Sequence, residues 1–585
     1  MALIVKDEEV VGTIDNLQDK LEGKLPITRE ELLFLVNSWG RNTSFYTKAF
    51  INSEVTIKSC KSNECYNLSE LDVSQIIDMD KLFMYSNFDG DISNWNTSNV
   101  TSMNAMFAFT NDFNSDIGNW NISNVTNMSE MFLYAKRFKS NIENWNVSNV
   151  VNMYGMFSYA DKFNSPLNNW NTSNVTNINK IFYNAKEFNQ DINNWNIEKI
   201  TEAYSVFFKA KKFNQPLDKW NVSNISIMRN LFYEAENFNQ DINSWDVSNV
   251  KDMSGMFNRA EKFNQPLNKW NVSKVEEMNS MFCNSKNFNQ EISMWDVSKV
   301  TNMGYMFYKT KEFNQPLNNW NTNNLKNIDD MFAYAEKFNQ PLNYWNISKI
   351  FNLDRVFNGT KSFNQNLNDW DTSNVTSMIR TFANTNDFNG DISQWNTSKV
   401  KNMTSMFQNT YAFNQNISSW DVSNVVFMDS MFSYADNFNQ PIGNWNIDSL
   451  TDISYMFECT KKFNQDLSNW NFTNILDMYK TFSEAKAFNQ NITNWDFTNI
   501  RECDYIFKNA EAFEKKYNNG KSLPNDTDYL IRWINENREK MKLINIKDQH
   551  GKEIDDFFSI ITDIHSRNGI GLHEKESKKI QEKDR

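Results

Sequence analysis

The residues that could carry out chemistry in this 585-residue chain are few. All three histidines, the most frequent general bases and metal ligands, lie near the C-terminus at His550, His565 and His573. His565 and Asp563 could form a site on a helix, but an exposed helical histidine needs no catalytic role. Because no nucleophile, base and orienting group come together, we predict a non-enzymatic protein with no catalytic, cofactor-binding or metal-binding residues and no cofactor.

The five cysteines follow no fixed spacing. Cys283, Cys459 and Cys503 fall at three different positions of the repeat described below, which argues against a column of disulfides or metal ligands. Cys60 and Cys65 are close enough in sequence to pair, whereas the odd number of cysteines favours reduced thiols.

Two recurring residue types could bind a ligand along the chain. Acids recur at Asp116, Asp191, Asp241 and Asp466, but the glycine-rich nonapeptide of calcium ladders is absent and proline replaces the acid in other copies. We therefore expect turn residues. A tryptophan series could bind sugars or planar ligands, but it has the same parity as an apolar position two residues later, which favours packing in the core.

These residues belong to a repeat of 25 residues. A phenylalanine recurs eighteen times from Phe88 to Phe513, and a tryptophan follows seventeen of them seven residues later, from Trp95 to Trp495. A fixed period of this length is typical of a solenoid, in which each coil buries its apolar side only against its neighbours.

The apolar pattern within one copy predicts a strand and a helix. With Phe113 as position 0, apolar residues follow at positions 4, 7, 9, 12, 15, 18, 19 and 22. Positions 15 to 22 have the spacing of one helical face, with Thr126 and Asn127 as N-caps. Trp120 and Ile122 alternate with polar residues, as in a short strand. The predicted fold class is an α/β repeat solenoid of about 18 coils, each with one short parallel strand plus one short helix, with helical caps at both ends.

Residues at the same repeat position in successive coils are called a column here. Position 22 holds only Ala, Thr or Ser, which implies close approach of neighbouring coils, and the asparagines of position 1 are expected to bond the backbone of adjacent coils. Positions 13, 14, 16, 17, 20, 21, 23 and 24 vary. Position 21, for example, is occupied by Tyr134, Lys209, Glu234, Arg259, Tyr334 and Glu484. Residues at these positions either select a binding partner or vary without a function on a solvated face.

The period also defines the domain organisation. Residues 1–70 form an N-terminal capping region, in which Thr28 to Glu31 is a capping-box pattern before an apolar helix. Residues 71–513 form the solenoid. Residues 514–572 form a C-terminal helical cap with helices at 526–541 and about 553–565, and residues 573–585 are a disordered charged tail.

Charge and hydropathy limit the partners. A net charge of −13 argues against nucleic acid, and no apolar stretch is long enough to span a membrane. The N-terminus has no signal-peptide pattern and no lipoprotein cysteine, so a cytoplasmic location and export by another route both stay open. Oligomeric state and the binding face cannot be read from the sequence.

The residue pattern of the repeat resembles that of a known family. The copy FNQDINSWDVSNVKDMSGMFNRA, residues 238–260, is similar to the repeats of BspA-like leucine-rich repeat surface proteins, which occur in mycoplasmas and spirochaetes. The resemblance covers about residues 71–513 and implies a leucine-rich-repeat-like solenoid. It also implies a surface or secreted protein that binds protein partners, such as host extracellular-matrix or cell-surface proteins, in adhesion or host interaction. The alternative is an intracellular structural or regulatory adaptor.

Overall fold

The computed structural model describes residues 2–6, 9–37, 45–51, 54–58 and 68–545. The chain forms two compact units, Met1–Leu325 and Lys326–Arg585, and each carries part of the repeat array. Several residues of interest lie outside the described part: Cys60, Cys65, His550, Asp563, His565, His573, the helix expected at about 553–565 and the tail 573–585.

The first unit begins with an antiparallel sheet that the sequence did not indicate. Its four strands have the order β2-β1-β3-β4, and two helices separate β2 from β3. The elements are β1 (Ala2–Lys6), β2 (Glu9–Ile14), α1 (Leu17–Leu21), α2 (Arg29–Asn37), β3 (Phe45–Ile51) and β4 (Glu54–Lys58).

Helix α2 begins at the predicted capping box. Thr28 Oγ1 accepts the backbone N–H of Glu31 at 3.3 Å, and the Glu31 carboxylate accepts the N–H of Thr28 at 2.9 Å. Arg29 donates to the carbonyl oxygens of Asp78 and Asp80 at 3.0 and 2.8 Å. The helix is thereby attached to the first coil of the array, which it covers with buried apolar side chains.

Within each unit the coils share one continuous core. In the first unit, Phe132 of position 19 stacks on Phe157 of the next coil with centroids 5.7 Å apart, and on Phe138 at 3.9 Å. The position 7 rings also stack, for example Trp95 on Trp120 at 6.1 Å. Burying one large apolar side chain contributes roughly 1.5–3 kcal/mol, so a coil gains its stability by covering its neighbour.

The helix expected at positions 15 to 22 is wrong, because the described coils contain a row of tight turns there. The N–H groups of Met128, Glu130 and Phe132 donate to carbonyl oxygens of the next coil at 2.7–2.9 Å, while intervening N–H groups close turns within the coil. Glu130 and Tyr134 have φ of 57° and 59°, the left-handed value at the third residue of a type II turn. Half of the backbone donors thus bond the neighbouring coil, which an α-helix does not allow.

The predicted strand is also displaced and shortened. Coils do run parallel, but most described coils form only an isolated bridge at position 14, as between Asn127 and Asn152. Around Trp120, where the strand was expected, Asn121 Oδ1 accepts the N–H of Ser123 at 3.1 Å and closes a turn. Asn127 likewise accepts the N–H of Ser129 at 3.1 Å, which makes it a turn residue rather than a helix N-cap.

After the last coil, the described part of the second unit contains two helices, α3 (Glu511–Asn518) and α4 (Thr527–Ile544). Asp526 is the N-cap of α4, accepting the N–H groups of Asp528 and Tyr529. Arg538 of α4 donates to the carbonyl oxygen of Thr493 at 2.9 Å, so α4 covers the last coil. The sequence predicted two helices after residue 513. Helix α4 lies at the first of these, residues 526–541, whereas helix α3 was not predicted.

Candidate binding surface

The tryptophan column is part of the core and leaves no aromatic face for a ligand. Trp120 is 3% exposed, and its Nε1 donates to the backbone carbonyl oxygen of Ile92 in the preceding coil at 2.9 Å. The same bond recurs along both units, as from Trp420 to Ile392 at 3.2 Å. The sequence predicted this burial correctly, whereas the bond to the preceding coil is visible only in the structure.

The recurring acids act as turn residues, as expected. Asp116 Oδ1 accepts the N–H of Gly118 at 3.0 Å, and Asp241 Oδ1 accepts the N–H of Asn243 at 2.8 Å. Asp191 and Asp466 form equivalent bonds two residues ahead. In the described ranges, no group of three His, Cys, Asp or Glu side chains is placed to hold a metal ion.

The three described cysteines are free thiols in unreactive surroundings. Burial raises the pKa of Cys503 to about 12 and also raises the pKa of Cys283. Cys459 is half-buried, and burial raises its pKa as well, so all three are protonated at neutral pH.

A carboxylate with unusual titration lies in the second unit. Burial, and then the charge of Asp354, raise the pKa of Asp329 to about 6. Asp329 Oδ1 is buried without a hydrogen-bond partner, and Oδ2 accepts from Asn352 at 3.2 Å. Because Asn occupies the same column in other copies, as at Asn179, we regard this acid as a local destabilising feature.

A row of stacked rings on the first unit, the aromatic strip, is the candidate binding surface. Its rings come from seven successive coils at positions 20 and 21, with consecutive centroids between 4.0 and 5.3 Å apart. The strip consists of Tyr85, Phe109, Tyr134, Tyr159, Tyr183, Phe208 and Tyr233. Tyr233 is followed in its column by Asn258, so the described strip ends there.

The strip is open to solvent. Tyr85 is 57% exposed, and the other six rings are half-buried. Burial, and then a hydrogen bond with Tyr159, raise the pKa of Tyr134, and the two rings stack with centroids 4.0 Å apart. The sequence had marked positions 20 and 21 as variable, but it could not show that rings at two different positions form one row.

The ring changes position along the row, although position 21 keeps the same left-handed backbone in these coils. Position 21 has a left-handed φ, as at Tyr134 and Tyr159, and it holds Asn184 and Lys209 in the coils where the ring moves to position 20. Tyr183 and Phe208 then continue the stack at 5.3 and 4.3 Å. The row therefore persists although no single column of the sequence is aromatic throughout.

A repeat solenoid with a recurring apolar core, variable outer columns and an exposed aromatic row defines a repeat scaffold protein. The chain belongs to the family described as "Mycoplasma protein of unknown function, DUF285". The family model matches in six overlapping segments: residues 52–167, 118–218, 202–307, 265–353, 341–436 and 414–520.

The chain is also similar to a solved repeat structure, but not to any curated protein. The crystal structure of a leucine-rich repeat protein from Eubacterium ventriosum matches 75% of this chain and 92% of its own, with 13% sequence identity and a TM-score of 0.24. No curated protein matches the chain.

In the described residues, no helix is both long and apolar enough to cross a bilayer.

Proposed function

We propose that the protein is a non-enzymatic scaffold that binds other proteins, in adhesion or in interaction with host or neighbouring cell surfaces. The observation that carries this proposal is the aromatic strip. Tyrosine is enriched at protein interfaces because it supplies a large apolar surface and a polar hydroxyl with little conformational freedom to lose. A solvated face without a partner has no need of a row of seven stacked rings.

The residue pattern of the repeat supports the surface role. It resembles that of the BspA-like leucine-rich repeat surface proteins, which are thought to bind extracellular-matrix components. The fixed core and the variable outer columns also suit a scaffold, because surface residues can change without disturbing the stacked rings.

Binding of the purified full chain to cultured host cells and to immobilised matrix proteins tests the proposal. The variant Tyr134→Asn/Tyr159→Asn/Tyr183→Ser uses residues that the same columns hold at Asn184 and Ser158, which preserves the fold. We expect this variant to lose at least tenfold in binding. The control variant replaces three exposed tyrosines of the second unit, Tyr344, Tyr411 and Tyr529, and should bind as the wild type does.

Equal binding by both variants, or no binding to any cell or matrix surface, contradicts the proposal. Mild protease treatment of intact source cells separates surface display from the adaptor alternative. Loss of the protein supports display, and its survival supports an intracellular adaptor.

A further inference from the structure

Resting on the proposed function, we infer that the aromatic strip binds an acidic segment of a partner protein in extended conformation. Four properties of the surface support this inference: its length, the direction of its rings, the excess of cations beside it and one fixed lysine.

The length of the strip suits a short extended chain. Seven rings make six steps, which at about 4.7 Å per coil is roughly 28 Å. An extended polypeptide rises about 3.3 Å per residue, so the strip accommodates a segment of about eight residues. A folded domain would also need surface on both sides of the row, whereas an extended segment needs only the row and its margins.

The rings present their edges rather than their faces. Tyr134 and Tyr159 stack with centroids 4.0 Å apart and an angle of 9°, and Tyr183 and Phe208 stack at 4.3 Å and 4°. Sugars bind aromatic rings through the face, and here neighbouring rings cover the faces. Ring edges carry partial positive charge and tyrosine hydroxyls donate hydrogen bonds, so the exposed side favours carbonyl and carboxylate oxygens.

The margin at positions 23 and 24 has a surplus of cations. Its carboxylates are neutralised by ion pairs of 2.5–3.2 Å. These pairs are Asp112–Arg137, Asp161–Lys186, Glu187–Lys212 and Glu236–Lys211. Lys136 and Lys162 are exposed and form no ion pair with any described residue. The N–H of Lys162 donates to the carbonyl oxygen of Lys136 at 3.2 Å, so the two lysines are neighbours. In a chain of net charge −13, this local surplus is complementary to an acidic partner.

A lysine next to the strip, at position 17, is held in place by two rings. Lys180 lies in the same turn as Tyr183, whose N–H donates to the Lys180 carbonyl oxygen at 3.0 Å. Its Nζ lies 5.6 and 5.2 Å from the ring centroids of Tyr154 and Tyr204, and no described carboxylate pairs with it. Lys180 therefore offers a positioned charge. Glu130, in the corresponding turn before Tyr134, forms no ion pair with the residues that the structure describes, and its charge opposes an acidic ligand.

Fluorescence anisotropy with the full chain tests this inference. The probe is a labelled decapeptide of alternating Glu and Thr, with the Lys-Thr decapeptide as control. We expect the Glu-Thr peptide to bind at least tenfold more tightly than the Lys-Thr peptide, with affinity falling as salt rises. Lys136→Gln/Lys162→Gln/Lys180→Gln should weaken binding at least fivefold, and the tyrosine variant at least tenfold. Glu130→Gln should strengthen it about twofold.

The matched control, Lys401→Gln/Lys462→Gln/Lys521→Gln, removes three exposed lysines of the second unit and should leave peptide affinity unchanged. Equal affinity for the two peptides, or a tyrosine variant that binds as the wild type does, overturns the inference. Heparin provides a further test. If heparin binds more tightly than the peptide, and only the lysine variant loses heparin binding, the inference is also overturned. The site would then recognise a polyanion through its lysines, with no contribution from the aromatic rings. The two proposals can fail separately. If the tyrosine variant loses cell binding but the wild type does not bind the Glu-Thr peptide, only the acidic partner is refuted, and the proposed scaffold function is retained.

Discussion

The indole Nε1 of Trp470 donates to the backbone carbonyl oxygen of Ile442 at 3.1 Å, 28 residues earlier in the chain. The same bond joins neighbouring coils elsewhere in the described array, as at Trp420, and it is absent one coil further on, at Trp495. There Nε1 is buried without a partner, and the ring lies 4.3 Å from that of Phe472. Position 9, where Phe472 lies, holds smaller residues in the preceding copies.

We expect Trp470→Phe to destabilise the protein by about 1 kcal/mol more than Trp495→Phe. Both changes remove a similar buried ring area, but only the first removes a hydrogen bond. The difference is modest because the Ile442 carbonyl keeps the N–H of Trp445 at 3.1 Å. Urea unfolding of the full chain measures it, and equal losses for the two variants contradict the structural role of the indole bond.

The asparagine column at position 1 should be important for stability. Asn264 Oδ1 accepts the backbone N–H of Asn289 at 3.0 Å and Nε2 of Gln290 at 2.9 Å. Asn264→Ala leaves the Asn289 N–H without its partner, whereas Gln290 keeps its bond to the Asn264 backbone carbonyl oxygen at 3.0 Å. The variant should lower the free energy of unfolding by about 1–2 kcal/mol. Asn119→Ala is the control, since Asn119 is exposed and its side chain has no hydrogen bond among the described residues; it should change stability by less than about 0.5 kcal/mol.

Asp329 should make stability depend on pH between about 4 and 7. Its pKa is raised to about 6 in the folded chain, against an ordinary value near 3.9, so the ionised form is disfavoured by folding. The free energy of unfolding should therefore fall as pH rises through this range. Asp329→Asn should be more stable than the wild type at pH 7.5, by about 1 kcal/mol after allowance for solvent screening, and equal to it below pH 4.

An acid of opposite behaviour provides the control for Asp329. Hydrogen bonds from the Ser423 hydroxyl and N–H lower the pKa of Asp421. Asp421 therefore stabilises the fold above its unfolded pKa, and that contribution is lost as pH falls through the folded pKa. Melting curves of Asp421→Asn should differ from the wild type at neutral pH and converge in acid. A pH trend of the same sign for both variants would show that the two environments are misassigned.

The small residues of position 22 should tolerate a hydroxyl but not added bulk. Ala235 is fully buried, and Ala235→Leu should destabilise the protein by about 1–3 kcal/mol through overpacking. Ala235→Thr should be closer to wild type, because Thr410 in the same column donates to the Phe382 carbonyl oxygen at 2.7 Å. Thermal unfolding compares them, and a threonine variant as unstable as the leucine variant argues against this explanation.

The sequence by itself determined the solenoid, its period and its buried columns. The reason is that stacking places identical residues in contact, so the pattern of Phe, Trp and small residues directly records the core. The same reasoning located helix α2, since the Thr28 and Glu31 capping box acts within a few residues.

Only the tertiary structure decided how the backbone of each coil is bonded and where the exposed rings meet. The spacing of Met128, Met131 and Phe132 fits both a helical face and a row of turns, and bonds to the next coil select the turns. The aromatic strip passes from position 21 at Tyr159 to position 20 at Tyr183, a contact of 5.3 Å. A periodic pattern records which residues are buried, but contacts between different columns depend on the path of the folded chain.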